Sequence, residues 1–154
     1  MNKTEYIIRQ IGKTNKKNYE NYVVTRIWNL LNNLEIKFIT QQYIVRPGNK
    51  YALTDMYFPQ IGLHIEVDEP HHKLNKKEDK IREEDIVSIT DHEIIRIDVS
   101  GEIESIHQEI DCAVEMIKER IEEVGDEFIP WNIEAELDPQ TYIDKGYIAL
   151  DEQV

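Results

Sequence analysis

The sequence predicts an α/β or α+β domain, and three observations predict it. Strand-like and helix-like runs alternate along the 154 residues, three β-rich runs follow one another through turns short enough for hairpins, and residues 102–124 carry a long amphipathic repeat. At 40% hydrophobic composition the chain has enough apolar surface for a single core.

Taken in order, residues 18–33 (NYENYVVTRIWNLLNN) place Tyr19, Val23, Ile27 and Leu30 or Leu31 at helical spacing, with an Asn pair to end the run. Residues 36–45 are β-branched and aromatic, and RPGNK supplies Pro47 and Gly48 for a turn before YALTDMYF. The tetrapeptide PQIG then leads into LHIEVD, so the three runs read as an antiparallel meander. Residues 75–90 are helix-prone with a thin stripe of Ile81, Ile86 and Ile89, and EIIRIDV at 93–99 reads as a buried strand. In 102–124, Ile103, Ile106, Ile110, Val114, Ile117 and Ile121 mark a long packing helix. The organisation expected is one domain over 1–128 and a linker or arm over 129–154, where two prolines and weak periodicity fit extended chain.

The net charge of −13 argues against a nucleic-acid partner, because such binding depends on Lys and Arg neutralising phosphates. Its distribution reverses the argument. Residues 1–50 hold nine Lys and Arg against three Asp and Glu, whereas residues 101–154 hold three against sixteen. Local fields decide what a surface attracts. The single Cys112 excludes an internal disulfide, and residues 1–20 contain no apolar run of signal or membrane type, so a cytoplasmic protein away from membranes is expected.

The densest chemistry lies in LHIEVDEPHHK, residues 63–73. Side chains two apart on a strand share a face, so His64, Glu66 and Asp68 project together and Leu63, Ile65 and Val67 project into the core. The short PQIG turn brings Asp55 of the preceding run close to Glu66 or His64. Two carboxylates on adjacent strands, completed by water, are oxygen ligands of the kind Mg²⁺ accepts. For each residue alone a plain structural role competes: Asp55 as a turn cap, Glu66 as the partner of Lys73 or Arg82, the histidines as loop residues. Removal of either carboxylate is expected to leave the fold intact, since like-charge repulsion is relieved.

The order of a helix with Glu20, an aspartate strand (TDMYFP), an E-x-D strand (IEVDEPHH), a helix with Asp79 and Arg82, and an apolar strand (IIRID) resembles the PD-(D/E)xK nuclease superfamily. Within it the pattern resembles the Vsr-like branch and, more closely, the catalytic domain of AbaSI-type restriction endonucleases, which cut DNA containing 5-hydroxymethylcytosine or its glucosylated form. ENYVVTRIW, ITQQYIVRP, ALTDMYFPQ, HIEVDEPHH and DPQTYIDKGYI carry the similarity.

The resemblance implies a mixed central sheet flanked by helices, and hydrolysis of phosphodiester bonds in duplex DNA with modified cytosine. It implies Mg²⁺, with Mn²⁺ as substitute, held by Asp55 and Glu66 and through water by Glu20. The superfamily's proline is Thr54 here and its lysine is Asp68. His72, with His71 as alternate, inherits the role of base, and Asp68 is a ligand or an orienter of histidine. Lys73, Lys76, Lys77, Lys80 and Arg82, with Lys13, Lys16 and Lys17 before the first helix, form the candidate DNA rim, and Arg82 is equally a site organiser. A homodimer follows by analogy, as does a C-terminal modified-base reader beyond residue 154. The rival readings are a repair nickase of the Vsr type and a catalytically silent nuclease-like module.

Overall fold

The computed structural model describes residues 2–13, 18–68 and 76–133. The first element, α1 (Lys3–Gly12), was not expected. Its signal is a capping box, in which the Asn2 side chain accepts from the Glu5 amide and the Glu5 side chain accepts from the Asn2 amide. Lys13 therefore caps a helix instead of preceding the first one, and its ammonium donates to the Thr40 carbonyl at 3.5 Å. Lys16 and Lys17 lie outside the described residues.

Next come α2 (Asn18–Leu31), β1 (Ile39–Arg46), β2 (Lys50–Phe58) and β3 (Leu63–Asp68), then α3 (Lys76–Thr90), β4 (Glu93–Asp98) and α4 (Ile103–Val124). The sheet order is β1-β2-β3-β4. The first three strands form the expected antiparallel meander, and β4 pairs parallel with β3, so α3 is the crossover of a βαβ unit. The result is a mixed sheet flanked by helices.

Leu63, Ile65 and Val67 enter the main core with Val23, Val24 and Ile27 of α2 and Ile106, Ile110 and Ile117 of α4. Alternation thus orients β3 as its sequence demands. The buried turn residue Gln60 ties loops to this core: its carbonyl accepts from the Lys37 amide, and its amide donates to the carbonyls of Glu35 and Ile129. Trp131 is buried in the same cluster and its backbone amide donates to Glu35, so packing continues past residue 128.

The helix α3 differs from its expected stripe. Ile86 alone is buried, against Ile44 and Ala52, whereas Ile81 and Ile89 are exposed. Ion pairs hold the helix instead, Arg82 with Glu66, Asp85 with Arg46 and Glu83 with Arg96. A polar helix face docks here because the facing strands carry the opposite charges.

Candidate active site

Register fixes the site. Met56 pairs with Ile65 and Tyr57 with His64, so the next step along the hairpin sets Asp55 opposite Glu66. Directly opposed side chains share a face and lie about 5 Å apart at Cβ. Both are buried. They border a cavity of about 240 Å³ that Leu53, Val67, Asp68, Asp79, Arg82 and Arg96 complete.

Asp55 is fastened by the backbone, since its Oδ2 accepts from the Val67 amide at 2.7 Å. Glu66 is fastened by charge: Arg82 Nη1 lies 2.6 Å from its Oε1, while Arg82 Nη2 donates to the Leu53 carbonyl at 2.6 Å. Of the two roles open to Arg82, the organising one matches this geometry. Burial, then the neighbouring Asp55 charge, push the Glu66 carboxyl up to about 8, with Arg82 pulling the other way and a hydrogen bond to Asp55 adding to the rise. Glu66 therefore holds its proton at neutral pH, as a carboxyl does in a desolvated site beside another acidic group.

The other residues singled out from sequence are placed differently. Asp68 lies beside the cavity and is bound to Arg96 at 2.6 Å, which in turn bonds Glu83. His64 shares the face but faces away from the cavity, stacked on Tyr57 and bonded through Nδ1 to Thr54 at 3.0 Å. Burial, together with His92 and Arg82, pushes His64 down to about 3, which makes it a neutral packing residue.

Glu20 is buried on α2 and accepts a hydrogen bond from the Gln41 side chain. It is not part of the cavity lining. Gln41 stands level with Asp55, but the β1–β2 ladder steps over it, from Thr40↔Met56 to Gln42↔Thr54, and its φ is 55°. This left-handed residue breaks the ladder beside the carboxylate pair. His71, His72 and Lys73 lie outside the described residues. Lys76 opens α3, and Lys77 and Lys80 are exposed on it.

Sequence reasoning missed Arg96 and Gln41. An arginine inside EIIRID was a signal, because a cation in an apolar parallel strand needs an anionic partner, and Arg96 has two, Asp68 and Glu83. Gln41 gave no such signal, since a glutamine with positive φ follows from no local rule.

The chemistry of the donor set fits a divalent cation that takes one or two carboxylates and keeps several waters, as Mg²⁺ does. Among the described residues no group of three or more His, Cys, Asp and Glu is placed to hold a metal, so these residues offer a two-carboxylate site. No helix among them is long and apolar enough to cross a membrane.

No curated protein matches the chain. Among solved structures it is similar to the 5-hydroxymethylcytosine-specific restriction enzyme AbaSI, with a TM-score of 0.71 and 40% identity over 92% of this chain and 55% of that one. The chain thus spans about half the length of that enzyme. Residues 4–118 match the family described as restriction endonuclease PvuRts1 I-like, N-terminal, and with most of its length inside that match the chain belongs to this family.

Proposed function

We propose that this chain is the cleaving part of a modification-dependent restriction endonuclease, hydrolysing phosphodiester bonds in duplex DNA that carries 5-hydroxymethylcytosine or its glucosylated form. The observation that carries the reading is the Asp55–Glu66 pair, set opposite each other on adjacent strands, buried, and open to a cavity large enough for a hydrated ion. The family and the 5-hydroxymethylcytosine specificity of AbaSI supply the substrate class.

Asp55 and Glu66 would hold Mg²⁺ or Mn²⁺, which when bound supplies positive charge for the phosphate and a polarised water. The Val67 amide aims the Asp55 carboxylate and Arg82 aims that of Glu66. The proton on the pair must leave before both oxygens can act as ligands. Arg96 keeps Asp68 turned to the cavity wall. His72, with His71 as alternate, takes the proton of the attacking water, in keeping with an imidazole pKa near ~6.5. Glu20 acts behind Gln41. Lys73, Lys76, Lys77 and Lys80 follow the phosphate backbone, and cutting both strands with one site per chain calls for two copies.

The test is cleavage of hydroxymethylated, glucosylated and plain duplexes over a Mg²⁺ and Mn²⁺ titration. Cutting of modified DNA that EDTA stops is the expected result. Metal-independent cutting, or none on any duplex by a protein that binds the metal, overturns the reading.

A further inference from the structure

We infer that Thr54 is a positioning residue of the candidate site: its hydroxyl, tied to the His64 ring, fixes the crease in β2 that turns Asp55 towards Glu66. The inference rests on the reading of Asp55 as a metal ligand and deepens it, naming what aims that carboxylate besides the Val67 amide.

The crease shows in the packing. Ala52 packs on Ile86 of α3, whereas Met56 and Phe58 enter the main core with α2 and α4. Alternation would send these even-numbered residues to one face, so β2 changes face between Ala52 and Met56. The neighbouring chain changes with it: Phe38 belongs to the main core and Ile44 packs on α3, with the left-handed Gln41 between them. Asp55 lies inside this change of face.

The ladders do not hold it there. The β1–β2 pairing passes from Met56 to Thr54 and steps over Asp55, and the β2–β3 pairing ends at Met56↔Ile65. Among the described residues, β2 is paired along its whole length except at Asp55. A residue that no ladder fixes depends on side-chain bonds for its place. Two such bonds span the gap. The Asp55 carboxylate accepts from the Val67 amide, and Thr54 Oγ1 is hydrogen-bonded to His64 Nδ1 at 3.0 Å. The second bond runs from the neighbour of Asp55 to the residue two before Glu66.

His64 is a firm anchor. Its ring is fully buried and stacked at 4.3 Å on Tyr57, whose hydroxyl is hydrogen-bonded to His92 Nδ1 at 3.1 Å. His92 fills the space beside Gly62, where a Cβ would stand 2.9 Å from its ring, so this end of the stack has no room to slide. His64 Nε2 is buried without a partner, and among the described residues Thr54 is the one hydrogen-bond partner of the ring. Losing that tie would leave a second buried nitrogen unpaired, which favours keeping it. Contacts thus run from the β2–β3 turn through three stacked rings to the residue beside Asp55.

Thr54→Val, which keeps the shape and removes the hydroxyl, and Thr54→Ser, which keeps the hydroxyl, test the inference. Amide hydrogen exchange in the metal-free protein reads the aim of Asp55 through the Val67 amide that it binds. Thr54→Val should lower Val67 protection by about ten-fold and leave the amides of α4 unchanged, and Thr54→Ser should keep Val67 protected. With Mg²⁺, Thr54→Val should lower kcat on hydroxymethylated duplex by about ten-fold at unchanged KM, in the range for groups that support a metal ligand. His64→Phe, which keeps the stack on Tyr57 and lacks the nitrogen, should act alike, and the two changes together should cost no more than either alone. Val67 protection that holds in both Thr54→Val and His64→Phe overturns the proposal, as does a loss spread equally over α4, which would make the hydroxyl a plain stability contact. A wild-type protein that never cuts, while Thr54→Val exposes the Val67 amide, sinks the nuclease reading and spares the positioning role.

Discussion

Arg82 joins three pieces of the chain with one guanidinium, its Nη1 2.6 Å from Glu66 Oε1 on β3 and its Nη2 2.6 Å from the Leu53 carbonyl on β2, while its own backbone belongs to α3. Because Arg82 lowers the pKa of Glu66 against burial and Asp55, it sets how readily that carboxylate is freed for a cation. Arg82→Ala should weaken Mg²⁺ affinity by about ten- to hundred-fold, the usual cost of losing a group that supports a ligand, and shift the pH dependence of cleavage upward. Calorimetric Mg²⁺ titration at two pH values checks this; an unshifted profile with unchanged affinity refutes it.

Asp55→Asn and Glu66→Gln should each abolish cutting while keeping hydrogen-bond partners in place, with melting temperature held or raised by relief of repulsion. Asp55→Ala is different. It leaves the buried Val67 amide without its acceptor, at a cost of about 1–3 kcal/mol, so the expectation of an intact, unweakened fold is corrected for this substitution. Thermal melts of the three variants side by side decide the matter.

Stability should peak in mildly acidic solution in the absence of divalent cations. Glu66 is raised from 4.5 to about 8, so its contribution is full below 4.5 and is lost as pH rises towards 8. His64 is lowered from 6.5 to about 3, so its contribution is full above 6.5 and is lost as pH falls towards 3. Between 4.5 and 6.5 the two slopes, each about 1.4 kcal/mol per pH unit, oppose one another. Melting temperature should be nearly level there and fall on either side. Glu66→Gln should remove the alkaline decline and keep the acid one, and a decline that survives this change would assign it to another group.

His72→Ala should lower the cleavage rate by roughly two to four orders of magnitude with Mg²⁺ binding retained, and His71→Ala by less. Single-turnover rates measure both. The reverse ranking exchanges their roles, and normal rates in both variants turn attention to Asp68.

Much of this was legible because it rests on periodicity. Alternation in LHIEVD places Glu66 and Asp68 opposite the core, and a four-residue turn limits the positions Asp55 can reach, so the carboxylate pair follows from counting. The attachment of α3 was not legible in the same way. A thin isoleucine stripe reads as an apolar seam, whereas three ion pairs to separate strands depend on partners brought close only by the sheet. Helix α1 announces itself through the capping box of Asn2 and Glu5, a signal separate from the apolar periodicity that marks the other helices. The break at Gln41 lies furthest from sequence logic, since glutamine seldom adopts the left-handed backbone found there.

Every residue that borders the cavity falls between Leu53 and Arg96, under a third of the chain. The geometry of the cavity is therefore assembled by one hairpin and one crossover, with short loops to close before its parts meet. The helices outside that interval brace the sheet from behind without supplying a wall of the cavity. Substitutions in α1, in α4, or in α2 away from Glu20 should then change how long the molecule survives far more than how it cuts, so sequence drift there is tolerated by the chemistry so long as the scaffold stands.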